Sequence, residues 1–309
     1  MQVIEDNTDA DGNVWYFAYG SNMNCKVLSG RRKVFPLASY PARLDGWNLT
    51  FHIPGPLKYI EPGMGTIEPA GSCPSLPPNT PPVHGVLHYI TQADYIQIVR
   101  TEGGGGDPDF GYYTVAAPAE VILDEVPANQ QADELPEAEA GPQPRAVVPV
   151  VSSVFPPVRM SAGTQRTIME ASKAAIGLGS GDGTARRFVV PNALTLTFRE
   201  KDLKHHVTCS RRYWGLLCEG AREHHLPKLY QSHLATLRFY DPPNTLRLRL
   251  ARFLMMLLGV PIFMPILFSN YLFGGRARFV WRWGLAIGAP ILETWYRYFI
   301  KPWAGDGEC

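Results

Sequence analysis

Residues 16–22, which read YFAYGSN, combine an apolar run with a turn of small residues that could bind an anion. The apolar and aromatic residues at 14–17 predict a buried strand, because such side chains favour the pleated environment of a sheet. The turn Gly20-Ser21-Asn22 follows the strand, and residues of these types let backbone N–H groups converge on a carboxylate. The same composition is typical of a plain connecting turn, so the local pattern leaves both interpretations open.

Glu102 is a second candidate for chemistry. It follows a predicted short helix at residues 92–100 and precedes four consecutive glycines at 103–106. A single carboxylate can take a proton from one group and return it to another, provided that its pKa is raised toward neutrality. A solvated carboxylate at a helix end is the plainer interpretation of the same position.

Four blocks in chain order resemble the gamma-glutamylcyclotransferase family, enzymes that release 5-oxoproline from gamma-glutamyl compounds. The first is YFAYGSN, and the second is GMGTI at residues 63–67. The third, residues 85–113, contains GVLHYIT, TEG and GYY, and the fourth is SRRYWGLLCEGAREHHLPKLYQSHLATL at 210–237. The resemblance therefore covers about residues 14–240, with one insertion, and implies the family's fold and reaction.

The resemblance also implies roles for individual residues. Glu102 is expected to be the catalytic acid and base. The expected substrate-binding residues are Tyr19, Gly20, Ser21, Asn22, Tyr113 and Tyr213. The first four would hold the alpha-carboxylate and stabilise the oxyanion, Tyr113 would hold the carboxyl group of Glu102, and Tyr213 would line the pocket. Both Tyr113 and Tyr213 could instead be packing residues.

The implied reaction is intramolecular, since the alpha-amine of the substrate attacks its own gamma-carbonyl. Holding that geometry can supply several kcal/mol, up to roughly 7–11 kcal/mol. We expect no cofactor, metal or nucleotide, and a small gamma-glutamyl molecule as the ligand.

Composition restricts the class of protein further. The 309 residues can form one core and leave about a third of the chain over, and a net charge of +1 gives no reason to expect a nucleic-acid partner. The five cysteines form no CxxC pair, which favours a reducing compartment and argues against a zinc site. The acidic start at residues 1–13 predicts a disordered lead without a signal peptide.

The expected fold is α+β, a small mixed β-barrel surrounded by helices. Strands are predicted at residues 47–53, 83–90, 112–115 and 193–198, where short apolar runs are bounded by turns. Besides the helix at 92–100, helices are predicted at residues 213–223 and 228–237.

Residues 125–187 interrupt this domain. The first half is acidic and proline-rich with almost no aromatic residues, a composition typical of disorder. GLGSGDG, at residues 177–183, lacks the following Lys-Ser or Lys-Thr of a phosphate loop, and we interpret it as linker.

The tail at residues 246–303 has a different composition. Residues 253–275 carry no charge and are long enough for a bilayer, but Gly259, Pro261 and Pro265 favour a bent or re-entrant segment. Arginines and aromatic residues flank it. A hairpin or in-plane membrane anchor is the favoured interpretation; an apolar helix that caps the domain or pairs with a second copy is the other.

Two histidine pairs, His205-His206 and His224-His225, lack the i, i+4 spacing of helical metal ligands and are interpreted as surface residues. Arg43 is expected to be structural.

The predicted activity is release of 5-oxoproline from glutathione, a gamma-glutamyl amino acid or a glutathione conjugate, as in fungal secondary-metabolism cyclotransferases. The alternatives are a gamma-glutamylamine cyclotransferase and a non-catalytic, membrane-tethered binding module. The predicted location is the cytoplasm, with attachment to the cytosolic face of a membrane; the oligomeric state is open.

Overall fold

A computed structural model describes residues 2–73, 76–102, 111–122, 188–199, 203, 207–273 and 278–305. The predicted disordered insertion at 125–187, the glycine run at 103–106 and the pair His205-His206 lie outside these residues.

Five strands form a closed barrel. They are β1 (Asn13–Ala18), β2 (Ala38–Leu44), β5 (Val83–Thr91), β6 (Tyr113–Val121) and β7 (Phe188–Thr197). Their order is β1-β5-β2-β6-β7. The barrel closes where β1 runs parallel to β7, with Tyr16 opposite Leu194, and its other strand pairs are antiparallel. The predicted α+β class with a small mixed barrel is therefore confirmed.

The core of the barrel is apolar. Phe17, Leu87 and Leu194 are fully buried there, each contributed by a different strand. Their alternation with residues that face the other side follows from the two-residue period of a strand.

A second sheet packs beside the barrel. It contains β3 (Trp47–Leu57), β4 (Glu61–Pro69), β8 (Cys209–Ser210) and β9 (Phe239–Tyr240), in the order β3-β4-β8-β9. A side-chain hydrogen bond joins it to the barrel, since Thr197 Oγ1 on β7 donates to the carbonyl of Ile67 on β4 at 2.7 Å.

Helices connect and cover these sheets: α1 (Gln2–Glu5), a 3-10 turn (Ser21–Met23), a π-helical turn (Lys26–Arg31), α2 (Gln92–Thr101), α3 (Arg211–Glu223) and α4 (Lys228–Thr236). Thr91 caps α2 and Ser210 caps α3, because each side chain accepts a hydrogen bond from the backbone N–H three residues on. A Cβ atom at Gly220 would lie 2.8 Å from Cβ of Met23, so glycine allows α3 to approach the 3-10 turn closely.

The lead at residues 1–13 is ordered where the structure describes it, contrary to the sequence prediction. Ile4 on α1 is buried against the core. Asp9 accepts hydrogen bonds from the backbone N–H of Asn13, at 2.9 Å, and from the hydroxyl of Tyr89 on β5. The composition of residues 1–13 predicted disorder because it does not report the partners in the folded barrel that order this segment.

The tail forms a helical hairpin: α5 (Leu246–Phe273), α6 (Arg278–Trp295), a π-helical turn (Tyr296–Ile300) and α7 (Lys301–Ala304). Helix α5 continues without a break past Pro261 and Pro265. The hairpin forms its own apolar cluster on the β3–β4 turn: Tyr59, Ala251, Met255, Leu292, Tyr296 and Ile300.

The tail thus packs partly on protein. This agrees with the interpretation of the tail as an apolar helix that caps the domain. Within the described ranges, no helix combines the length and the apolarity of a membrane span. Helix α5 also begins with Arg247, Arg249 and Arg252 in its first two turns.

Buried His88 on β5 should make stability depend on pH. Burial, followed by the neighbouring His224, lowers the pKa of His88 well below its ordinary value of 6.5. Below about pH 6.5 the unfolded chain therefore binds a proton that the folded chain does not. As the pH falls below this value, His88 should lower the free energy of unfolding by up to ~1.4 kcal/mol for each pH unit. In His88→Gln, urea unfolding from pH 7.5 to 5.5 should show a shallower decrease than in the parent.

The matched control for His88→Gln is His225→Asn, at an exposed histidine whose φ of 52° suits asparagine. This control should keep the parent's pH dependence. If the free energy of unfolding depended equally on pH in the parent and in His88→Gln, His88 would not be the source of the pH dependence.

Candidate active site

A cavity of about 170 Å³ opens between the end of the barrel and the second sheet. It is smaller than the roughly 300–1,000 Å³ of drug-sized pockets, which suits a ligand, or part of one, the size of an amino acid. The residues that line it are Tyr16, Tyr19, Gly20, Ser21, Asn22, Val27, Arg31, Glu61, Met64, Gly65, Glu102, Tyr112, Leu196, Arg212, Tyr213 and Leu216.

Glu102 faces this cavity at the end of α2, where its backbone N–H donates to the carbonyl of Ile98 at 2.9 Å. Oε1 of its carboxylate accepts from the side-chain amide of Asn22 at 2.9 Å and from Nη2 of Arg32 at 2.5 Å. The side chains of Arg32 and Glu102 are 11% and 20% exposed, so this is a largely buried ion pair. Both contacts within the described residues use Oε1.

Asn22 links the turn after β1 to this carboxylate. Its amide nitrogen also donates to the hydroxyl of Tyr16 at 2.9 Å, and its carbonyl oxygen accepts from Nε of Arg32 at 2.7 Å. Arg32 in turn donates to the hydroxyl of Thr101. The side chain of Asn22 therefore orients Glu102.

The turn at residues 20–22 differs in conformation from the anion-binding nest that its composition suggests. Gly20 has φ −107°, and residues 21–23 form a 3-10 turn in which the N–H of Met23 donates to the carbonyl of Gly20. The left-handed residue that usually shapes such a nest is absent at residues 20–22. Tyr19, Gly20 and Ser21 nevertheless line the cavity, and the Tyr19 hydroxyl donates to the carbonyl of Leu196 at 2.6 Å.

Tyr213 lies against the two glycines of the cavity wall. A Cβ atom at Gly20 would lie 2.9 Å from its hydroxyl oxygen, and one at Gly65 would lie 2.8 Å away. The capped first turn of α3 places this ring, since the N–H of Tyr213 donates to Oγ of Ser210 at 3.1 Å.

Tyr112, rather than the predicted Tyr113, contributes to the wall. Its hydroxyl donates to the carbonyl of Gly65 at 2.6 Å, whereas Tyr113 is not among the described residues that line the cavity. Tyr113 begins β6 opposite Thr197. Adjacent residues of an extended chain point to opposite sides, so only one of the two tyrosines can face the cavity.

The tyrosines around the cavity remain neutral. Burial raises the pKa of Tyr16, Tyr19, Tyr112 and Tyr213, and the charge of Glu102 adds to the shift of each. They can therefore act as hydrogen-bond partners and apolar walls around one carboxylate.

Charged residues surround the mouth of the cavity. Arg212 donates to Glu61 at 2.7 Å, with the arginine side chain 59% exposed. Arg31 also lines the cavity, and the structure gives its side chain no ion pair or hydrogen bond within the described part of the chain. Arg31 is thus a cation positioned for a negatively charged group.

Sequence reasoning missed Arg32, Arg31, Tyr16 and Tyr112. Arg31 and Arg32 stand in a basic run, RRK, that looks like an ordinary solvated surface. Tyr16 and Tyr112 lie inside the recognised blocks, so they could have been considered there.

A second polar cluster lies on the β3–β4 side. His52, Glu68 and Cys73 are buried, and one ligand-type atom of each lies within 4.8 Å of the others. Nδ1 of His52 is 2.6 Å from Oε1 of Glu68, a direct hydrogen-bond distance. None of the three lines the described cavity.

The other residues singled out in the sequence lie elsewhere. Arg43 pairs with Glu120 at 2.9 Å and with Asp45 at 3.2 Å, away from the residues that line the cavity. His225 is exposed, but His224 is half-buried beside His88. The surface interpretation therefore fits His225 and not His224.

Curated relatives are gamma-glutamyl cyclotransferases of fungi, although no protein-family model matches the chain. The enzyme aclK of Aspergillus oryzae is 36% identical over 110 residues, 34% of this chain and 40% of that protein. The enzyme gliK of Aspergillus fumigatus is 35% identical over 107 residues, 31% of this chain and 38% of that protein. The chain thus matches about two fifths of the length of each. The resemblance to gamma-glutamyl cyclotransferases that the sequence blocks indicated is confirmed over about a third of this chain.

Solved structures with a similar chain path include an uncharacterized human protein, loc79017, and a gamma-glutamyl cyclotransferase. The TM-scores are 0.43 and 0.42, each at 15% identity, and each comparison covers 78% of this chain and 98% of the other.

The contact between Gly65 and Tyr213 can be tested by stability. Gly65→Ala should lower the free energy of unfolding by about 1–3 kcal/mol, because the new methyl group would lie too close to the hydroxyl. The cost should be smaller in a Tyr213→Phe background, which lacks that oxygen. Urea unfolding of both single variants and the double variant measures this coupling.

Gly215→Ala is the control, since a Cβ atom there on α3 would meet nothing within 4 Å. It should leave stability unchanged or raise it. An equal cost of Gly65→Ala in both backgrounds would disprove the contact.

Proposed function

We propose that this chain is a gamma-glutamyl cyclotransferase that releases 5-oxoproline, with Glu102 as its general base and acid. The observation that carries the proposal is the carboxylate of Glu102, held by Asn22 and Arg32 at a cavity lined by Tyr19, Gly20 and Ser21. The curated relatives supply the reaction class through their names.

The proposed reaction needs two proton movements. Glu102 accepts a proton from the alpha-ammonium of the substrate, and the resulting amine attacks the gamma-carbonyl carbon. The C–N bond to the departing amine breaks as the same carboxyl group returns the proton to that nitrogen. The attacking nitrogen loses a second proton as it becomes the lactam N–H, and this proton passes through the same carboxylate to the freed amine, which leaves as its ammonium form. Asn22 and Arg32 keep the carboxylate in place during these transfers, which is the positioning that general acid–base catalysis requires.

The cavity walls would fold the gamma-glutamyl unit back on itself. Tyr19, Gly20, Ser21 and Tyr213 are proposed to contact it, and the close fit of Tyr213 to Gly20 restricts the available shapes. Because the 3-10 turn lacks the expected nest, the positive charge for the alpha-carboxylate is proposed to come from Arg31. Tyr112 is proposed to line the substrate cavity in place of Tyr113, with its hydroxyl donating to the carbonyl of Gly65.

The proposed donors are glutathione, gamma-glutamyl amino acids and glutathione conjugates. A cavity of about 170 Å³ suits the glutamyl unit, so the rest of a conjugate would lie at the mouth beside Glu61 and Arg212.

Comparing 5-oxoproline release from these donors and from gamma-glutamylamines separates this function from its nearest alternative. A non-catalytic binding module would have no need of the acid at Glu102. The proposed catalytic unit is residues 14–240, followed by the tail at 246–303.

Glu102→Gln should lower 5-oxoproline release by about 10²–10⁴-fold. The amide keeps an oxygen that can accept from Asn22 and Arg32, so binding of the donor should persist. Purified full-length protein is incubated with glutathione, a gamma-glutamyl amino acid and a bulky conjugate, and 5-oxoproline is quantified by mass spectrometry.

Glu120→Gln is the matched control, because it changes an acid that is also paired with an arginine but lies away from the cavity lining. Its rate should stay close to that of the parent. An unchanged rate in Glu102→Gln would overturn the assignment of the general base.

Arg31→Ala should raise KM by about 10–100-fold with little change in kcat, since a hydrogen bond between charged groups contributes about 1.5–3 kcal/mol. A donor in which hydrogen replaces the alpha-carboxylate should be insensitive to the change. Steady-state kinetics of both donors provide the measurement.

Arg211→Ala, at an exposed arginine paired with Asp241, is the control for Arg31→Ala. It should leave KM unchanged for both donors. If Arg31→Ala impaired both donors equally, Arg31 would not be the partner of the carboxylate.

A further inference from the structure

The tail carries most of the exposed apolar side chains of the described structure. Eleven of the fifteen exposed large hydrophobic residues lie between residues 246 and 299. Scattered exposed apolar residues are normal, but a contiguous group marks an interaction surface.

These side chains occupy one face of α5. The exposed members are Leu246, Leu250, Phe253, Met256, Leu257, Val260 and Met264. Their spacing is mostly three and four residues, which on a helix of 3.6 residues per turn gives a single stripe. Buried Ala251 and Met255 lie on the opposite face, against the β3–β4 turn. Helix α5 therefore has an inner face on protein and an outer face without a cover in the described structure.

Further exposed apolar side chains lie later in the hairpin and after it. Ile287 and Ile291 on α6 are 51% and 47% exposed, and Tyr298 and Phe299 after it are 74% and 59% exposed. Tyrosine side chains such as that of Tyr298 favour the boundary between lipid and water.

Charge separates the tail from the rest of the chain. Residues 246–305 contain seven arginines, one lysine and one acid, Glu293, which gives a net charge of +7 in a chain whose total is +1. Two such surfaces would repel each other, whereas an anionic bilayer would attract either. An apolar face with basic residues is the composition of helices that lie in the membrane interface.

We propose that the outer face of the α5–α6 hairpin binds the surface of an anionic lipid bilayer and lies in the plane of the interface. This site does not depend on the proposed enzymatic reaction. The absence of a spanning helix in the described residues is compatible with it, because an interfacial helix buries only one face.

The inner face fixes how the bound protein would be oriented. A Cβ atom at Gly259 on α5 would lie 2.5 Å from Cδ2 of Leu57, so the helix and β3 approach closely. Tyr59 in the following turn donates a hydrogen bond to the carbonyl of Gly305. The same β3–β4 hairpin then supplies Glu61 and Gly65 to the cavity. The lipid surface would thus be joined to one wall of the cavity by a single hairpin.

Co-sedimentation of the full chain with vesicles tests the proposal. Vesicles of phosphatidylcholine with 30% phosphatidylserine should bind the protein, and vesicles of phosphatidylcholine alone should bind it much more weakly. Phe253→Ser with Leu257→Ser should lower binding about tenfold or more, through lost apolar burial. Arg247→Gln with Arg249→Gln, which leaves the apolar stripe intact, should lower binding to the anionic vesicles on the order of tenfold.

Leu229→Ser is the control, at a residue on α4 that is 88% exposed and lies outside the tail. It should bind vesicles like the parent, and thermal unfolding should show that every variant is folded. The proposal is overturned if the parent ignores anionic vesicles or if the serine pair binds them equally well. A dimer would also overturn it, if the parent forms that dimer in the absence of vesicles, if Phe253→Ser with Leu257→Ser abolishes the dimer, and if the dimer does not bind lipid. A second copy of the chain would then cover the outer face.

Discussion

The site depends on one largely buried ion pair, between Arg32 and Glu102, which Asn22 completes. These residues come from three segments: the turn after β1, the end of the π-helical turn and the end of α2. A carboxylate at this depth needs partners, because an unpaired buried charge costs several kcal/mol. The pairing also orients the carboxylate, since Arg32 contacts Asn22, Thr101 and Glu102 with three different nitrogens.

The barrel alone does not form the cavity. The second sheet supplies Met64 and Gly65, α3 supplies Tyr213, and both meet the end of β1. The glycines at 20, 65 and 220 let these elements approach, because a Cβ atom at any of them would lie under 3.0 Å from a neighbour. Small residues in the recognised blocks thus set the distance between layers, and the acid at residue 102 faces the space that remains.

The sequence was sufficient for much of the framework because its signals are local. The apolar run at residues 83–90 corresponds to β5, and the helix predicted at 92–100 corresponds to α2, which begins after a threonine cap. The contact between Arg32 and Glu102 joins residues 70 positions apart, and no periodicity reports it. The choice between Tyr112 and Tyr113 depends on a register difference of one residue. Asp9 in the lead looks like part of a disordered segment until Tyr89 of the barrel becomes its partner.

The β3–β4 hairpin connects two parts of the molecule that have different chemistry. Tyr59 at its turn packs in the apolar cluster of the tail, while Glu61, two residues later, pairs with Arg212 at the mouth of the cavity. Movement of the tail would therefore reach the mouth through the short turn between β3 and β4. Oε1 of Glu61 also accepts from Ser210, the cap of α3, so the same carboxylate links the hairpin to the helix that places Tyr213. A tail held on a surface would for this reason restrain the mouth more than Glu102, which Asn22 and Arg32 hold.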